Sequence, residues 1–197
     1  IRFSRSDPAS APEAHYAAPN GDLSAIDAQF DLLASSHLLV REPDLVRHLR
    51  QADRLLADNG IYLLMIPDKR FCLDHFIPET SIADVVDSAL NQPDRHTART
   101  LIRQQCLSTH NDSRRHWTGD HGAPAHLNTG SVEAALDLLS VSIDGGPSVD
   151  RNAWQFTPES FRVTLSLLRD IGLTRLAPVR VYPTLWGSNE FWAILAR

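Results

Sequence analysis

Apolar positions along the chain alternate between two spacings, and the alternation predicts the elements. Phe30-Asp31-Leu32-Leu33-Ala34 is a short, nearly continuous apolar run that ends in Ser35-Ser36-His37, as a strand running into a loop does. Pro43 and Asp44 then open a helix, proline being well tolerated in the first turn. Leu45, Leu49, Ala52 and Leu56 follow at i, i+4, i+7 and i+11, with Val46 and Leu55 widening the stripe. Asn59-Gly60 reads as the helix stop, supplying a left-handed cap. Ile61-Tyr62-Leu63-Leu64-Met65-Ile66 is apolar at every position, the signature of a strand buried on both faces in a parallel sheet. Strand, helix and strand make a βαβ unit, expected to be right-handed and to pair residues 30–40 with 61–67.

The rhythm breaks between residues 78 and 148. Ile82, Val85, Val86, Ala89 and Leu90 fit one helix face, and Ala98, Leu101, Ile102 and Cys106 a second. A third helix is expected from Ser131 with Val132, Ala135, Leu136 and Leu139. Between the last two runs a polar, Gly- and His-rich loop, His110 to Gly130. The block reads as a helical cap inserted into an α/β core made of residues 1–77 and 149–197. Thr157-Pro158-Glu159 is an N-cap, a first-turn proline and a well-placed acid, starting a helix with Phe161, Leu165 and Leu168 on one face and Gly172 at its end. Val179–Tyr182 and Phe191–Leu195 are two strands with Pro183–Asn189 between them, an antiparallel hairpin.

Residues 1–29 have no clear period beyond a possible strand at Ile1-Arg2-Phe3, and the chain reads as cut at its start. The net charge is −5, and all but one of the 19 basic residues are scattered arginines, Lys69 being the exception. That distribution argues against a nucleic-acid partner. No apolar run reaches the ~20 residues of a membrane span. Cys72 and Cys106 are too few for a disulfide scaffold and fit small buried hydrophobes in a reducing cytoplasm.

Several segments carry a more specific likeness. Phe30–Asp44 (FDLLASSHLLVREPD) and Leu56–Pro67 (LADNGIYLLMIP) resemble the fourth strand with its loop and the fifth strand of class I S-adenosylmethionine-dependent methyltransferases. Pro67-Asp68-Lys69-Arg70, Asp74-His75-Phe76, Pro78-Glu79-Thr80, Phe156–Phe161 and Gly187–Phe191 resemble the type 11/23-like subgroup with a helical insertion after the fifth strand. The likeness runs from about residue 30 to the C-terminus. It implies a Rossmann-like methyltransferase sheet, N-terminally incomplete, with an inserted cap and a terminal hairpin. It implies S-adenosylmethionine as cofactor and a small-molecule or glycan-type acceptor. The sequence departs from the family in two places. It has no Gly-rich turn after a first strand, its one adjacent pair being Gly145-Gly146, and it carries Val40-Arg41 where relatives often have Glu-His. If Ile1–Phe3 is a remnant second strand, Asp7 sits where the family's acid receives the cofactor ribose; otherwise Asp7 is a solvated loop residue.

Methyl transfer is an in-line displacement, and a base is needed only when the acceptor must lose a proton. His37 is the candidate base, because imidazole exchanges protons near neutral pH, with Ser35 and Ser36 beside it on the cofactor side. Asp74 and His75 are further catalytic candidates, and Asp68, Lys69, Arg70 and Asn189 candidate substrate contacts. Each has a plain structural alternative in loop hydrogen bonding, ion pairing or turn formation. His110, His116, His121 and His126 have spacings seen in zinc sites, but without a Cys beside them the segment reads as a solvated loop and no metal is expected. Two functions stand against each other: methyl transfer, and a non-catalytic scaffold or partner-binding module that keeps the sheet. A hydrolase ranks last, since no Gly-x-Ser-x-Gly elbow occurs. A sheet lacking central strands would expose an edge and self-associate.

Overall fold

The computed structural model describes residues 22–123, 128–144 and 149–197. Ile1–Phe3, Asp7, His126 and Gly145-Gly146 lie outside them. The architecture is mixed α/β, a four-stranded mixed sheet with six α-helices among the described residues, consistent with a Rossmann-like arrangement. β1 (Phe30–Ser36) pairs in parallel with β2 (Leu56–Pro67), Leu32 opposite Ile61 through Ser36 opposite Met65. The expected pairing of the two runs is therefore present. β3 (Ala177–Val181) and β4 (Glu190–Ala196) form the antiparallel hairpin, and β4 pairs with β2, giving the order β1-β2-β4-β3.

α1 (Leu45–Leu55) starts where Asp44 accepts a hydrogen bond from the Arg47 amide, and buries Leu45, Val46, Leu49, Ala52 and Leu55. Its stop differs from the sequence expectation. β2 begins at Leu56, immediately after the helix, and Asn59-Gly60 lie inside the strand. Gly60 is small for another reason: a Cβ there would come within 2.8 Å of the Phe30 carbonyl of β1. The glycine permits close approach of two strands where their register shifts, not a left-handed cap.

α6 (Pro158–Asp170) buries Phe161, Leu165 and Leu168 in the same core as α1, and is capped by Thr157 and Ser160 acting reciprocally. Phe156, Phe161 and Phe191 meet edge to face at 5.4 and 5.7 Å, and each such fully buried side chain contributes about 1.5–3 kcal/mol. α2 (Ile82–Asn91) begins the inserted block, yet its Val85 is fully buried in this same core. α3 (Ala98–Leu107) packs on α5 (Thr129–Ile143), and a short α4 (Ser113–Trp117) sits in the His-rich loop, where the apolar pattern gives no helix signal. β2 is not apolar-buried on both faces: Tyr62, Leu64 and Ile66 are buried toward the helices, while Ile61 is 37% exposed and Leu63 and Met65 are half-buried. Cys72 and Cys106 are buried free thiols, as expected. No described helix is long and apolar enough to cross a membrane.

Candidate functional site

The strand tips carry the site. His37 follows the last residue of β1 and takes a left-handed backbone, φ 57°, a region that residues other than glycine enter rarely. Its amide donates to the Met65 carbonyl at 2.9 Å, so the turn is fixed by β2. The ring Nε2 lies 2.8 Å from Glu190 Oε2. Glu190 opens β4 opposite Pro67, the last residue of β2, and the antiparallel strand thus starts where the two parallel strands finish. When Nε2–H donates to the carboxylate, Nδ1 keeps the lone pair and the ring is oriented as a base.

Beside the pair is a cleft of about 450 Å³, lined among others by His37, Arg41, Asn111, Arg151, Asn152 and Asn189. Residues 152–156 cross above the tips: the Ala153 amide donates to the Val40 carbonyl after β1, and Phe156 bridges Asp68 after β2. Val40, in the departure from the family pattern, is buried core, while Arg41 reaches Asp150 at 2.7 Å. This is the crevice at the carboxyl ends of parallel strands where α/β sheets bind ligands.

The other candidates are distributed unevenly about it. Ser36 is exposed on the sheet face opposite the helices, but the Ser35 hydroxyl points into the helix side and meets the Tyr62 hydroxyl at 2.8 Å. Asp68 is fully buried, gripped by the Arg70 guanidinium and accepting from the Thr184 hydroxyl at 2.6 Å. Lys69 donates to the His75 carbonyl. These three side chains tie loops together. Asn189 lines the cleft, and its carbonyl accepts from the Asp68 amide. Asp74 is buried and receives Gln104 at 2.6 Å and Asn152 at 2.9 Å, both of which line the cleft. Burial holds its carboxyl above the usual range, those two donors acting in the opposite sense. Asp74 thus positions the wall and does not face the cleft.

Below Ser35 runs a buried polar chain. Tyr62 meets His48 Nε2 at 2.9 Å, and His48 Nδ1 lies 3.9 Å from a Glu42 carboxylate oxygen. Burial, with nearby Arg47, pushes His48 down to about 4; burial pushes Glu42 up to about 7 and Tyr62 up to about 12.

His75 departs from the cleft and joins a second group. Its ring stacks on His121 at 3.8 Å, and His75, His116 and His121 each offer a ring nitrogen within 4.8 Å of the others. His116 is buried, and burial lowers its pKa. His110 stacks on His116 but contributes no free nitrogen: one meets the Asp120 carbonyl and the other accepts from the Asp112 amide. Two features go beyond what the sequence shows. Glu190 itself carries no assigned role there, and His75, while keeping its contacts with Lys69 and Arg70, also meets His116 and His121 from a segment distant in the chain.

No family model matches the chain, and no curated protein matches it. Among solved structures it is similar to one named for Zn-dependent alcohol dehydrogenases from Rhodobacter sphaeroides, at 12% identity and a TM-score of 0.38. That match covers 85% of this chain and 58% of the other.

Proposed function

We propose that this chain carries the acceptor side of an S-adenosylmethionine-dependent methyltransferase acting on a small-molecule or glycan-type acceptor. The observation behind the reading is the His37–Glu190 pair set at the tips of parallel β1 and β2 beside a polar cleft. The sequence likeness to that family over residues 30–197 supports it independently. His37 takes the proton from an acceptor hydroxyl or amine, and Glu190 holds the imidazole in one tautomer and steadies its charged form. Arg41, Asn111, Arg151 and Asn189 give the cleft donors suited to a hydroxyl-rich acceptor.

The fit to the cofactor is one-sided. Ser36 and His37 supply a lip, but among the described residues no strand runs into a Gly-rich turn, Ser35 is engaged by Tyr62, and Asp7 lies outside them. When bound, the cofactor supplies an electrophilic methyl group; the residues described here bind and deprotonate the acceptor. The competing reading is a non-catalytic scaffold, favoured by the structural engagement of Ser35, Asp68, Lys69 and Asp74.

The test is transfer of radiolabelled methyl from S-adenosylmethionine to a panel of sugars and small hydroxylated compounds, with protein made from the gene's full reading frame. Label in an acceptor, reduced about 100-fold or more in His37→Ala, supports methyl transfer. No label in any acceptor, with the protein folded, favours the scaffold.

A further inference from the structure

We propose that His75, His116 and His121 form a binding site for a divalent transition metal, zinc by preference, with the fourth position open to water. The inference is independent of the methyl-transfer reading.

The protons decide it. A neutral imidazole has one N–H and one lone pair. His75 Nδ1 lies 2.8 Å from the Arg70 carbonyl, and His116 Nε2 lies 3.0 Å from the His110 carbonyl. Carbonyls only accept, so both rings spend their N–H on the backbone. His75 Nε2 and His116 Nδ1 are left as lone pairs in the same small space. One donor serves them, the His121 Nδ1–H, which lies 3.0 Å from His116 Nδ1. Two lone pairs facing one proton is an electron-rich pocket, and a cation that replaces the proton satisfies all three rings. Main-chain carbonyls that fix the remote nitrogen are the usual support of metal-binding histidines. Zinc–nitrogen bonds of about 2.0–2.1 Å on a tetrahedral ion put ligand nitrogens roughly 3.3 Å apart, within the span these rings already occupy. Three imidazoles suit zinc, copper or nickel rather than magnesium or calcium.

The surroundings hold the geometry. Gly122 has φ +79°, and a Cβ there would meet Thr109 Oγ1 at 2.6 Å, while that hydroxyl donates to the His121 carbonyl at 2.7 Å. Phe71 and Trp117 stack at 3.8 Å beside the cluster. His75 and His121 are partly exposed, leaving an approach for water. The ion would join the loop after β2 to the loop around α4. From α4, Ser113 and Trp117 each donate at 2.7 Å to the Gly187 and Ser188 carbonyls, just before Glu190. The metal therefore braces the segment that delivers Glu190.

The experiment uses chelator-treated protein titrated with ZnCl₂, with metal content after dialysis and the visible absorption of the Co²⁺ form as second readouts. One zinc per chain, a rise in melting temperature, and at least tenfold weaker binding in His75→Ala and His121→Ala are expected. Those two residues are partly exposed, so their metal-free variants are expected to melt near the wild type. His110→Gln is expected to keep the ion. Absence of stoichiometric zinc in the wild type, unchanged binding in both alanine variants, or an equal loss in His110→Gln would overturn the assignment.

Discussion

The strand-tip cleft and the histidine cluster solve the same problem, holding an imidazole in one orientation, by different means. At the cleft, one residue in an uncommon backbone conformation meets a carboxylate brought from the far end of the chain by strand pairing. At the cluster, the main-chain carbonyls of Arg70 and His110 hold two of the rings, and among the described residues no carboxylate hydrogen-bonds to the three. A carboxylate partner orients a ring for proton transfer; a carbonyl fixes the tautomer and leaves the lone pair to a cation. The comparison teaches that the cleft depends on sheet register, while the cluster depends on two loops staying together.

The largest expected effect breaks the cleft. If His37 is the base, Ala in its place lowers kcat by about 10²- to 10⁴-fold, and Glu190→Gln, which keeps the ring but loses its charged partner, lowers it less; steady-state kinetics separates the two. Next is the loop junction at Asp68. Asp68→Ala strands Thr184 and loosens the half-exposed Arg70, and is expected to cost about 2 kcal/mol in denaturant unfolding, whereas a mere substrate contact would leave stability unchanged.

A third prediction concerns the buried chain beneath the cleft. His48 stays neutral in the fold down to about 4, whereas the unfolded chain protonates near 6.5, so this group makes stability rise with pH between those values, by about 3 kcal/mol. Glu42 acts the opposite way. Its carboxyl is raised to about 7, so stability falls as pH climbs from 4.5. The wild type is expected to be nearly flat between pH 4.5 and 6.5. Glu42→Gln should become acid-sensitive and His48→Gln alkali-sensitive in thermal melts over that range. The smallest effect is conformational: His37→Gly should be more stable than His37→Ala by about 1 kcal/mol, because glycine carries no penalty at φ 57°.

Much of the fold was legible in the sequence because it rests on local periodicity. The βαβ pairing, the capped helix from Pro158 and the terminal hairpin follow from stripes and turn residues that the structure reproduces. The end of α1 was misread because Asn-Gly is a strong local stop signal, while Gly60 answers to a neighbouring strand that local pattern does not reveal. α4 is short and polar, so it leaves no stripe. The site was legible in part: His37 and Asn189 fall on the cleft. Ser35, Asp68 and Asp74 carry the right chemistry for a site yet spend it on Tyr62, Arg70, Thr184, Gln104 and Asn152, and side-chain direction is a tertiary property. His75 could be matched to His116 and His121 only after two loops were brought together.

The most direct measurement is a calorimetric titration of S-adenosylmethionine into protein expressed from the gene's full reading frame. Saturable binding at one site per chain, retained in His37→Ala, is the predicted result. A folded protein that gives no heat of binding with S-adenosylmethionine or its demethylated product would contradict the assignment of the cleft to methyl transfer.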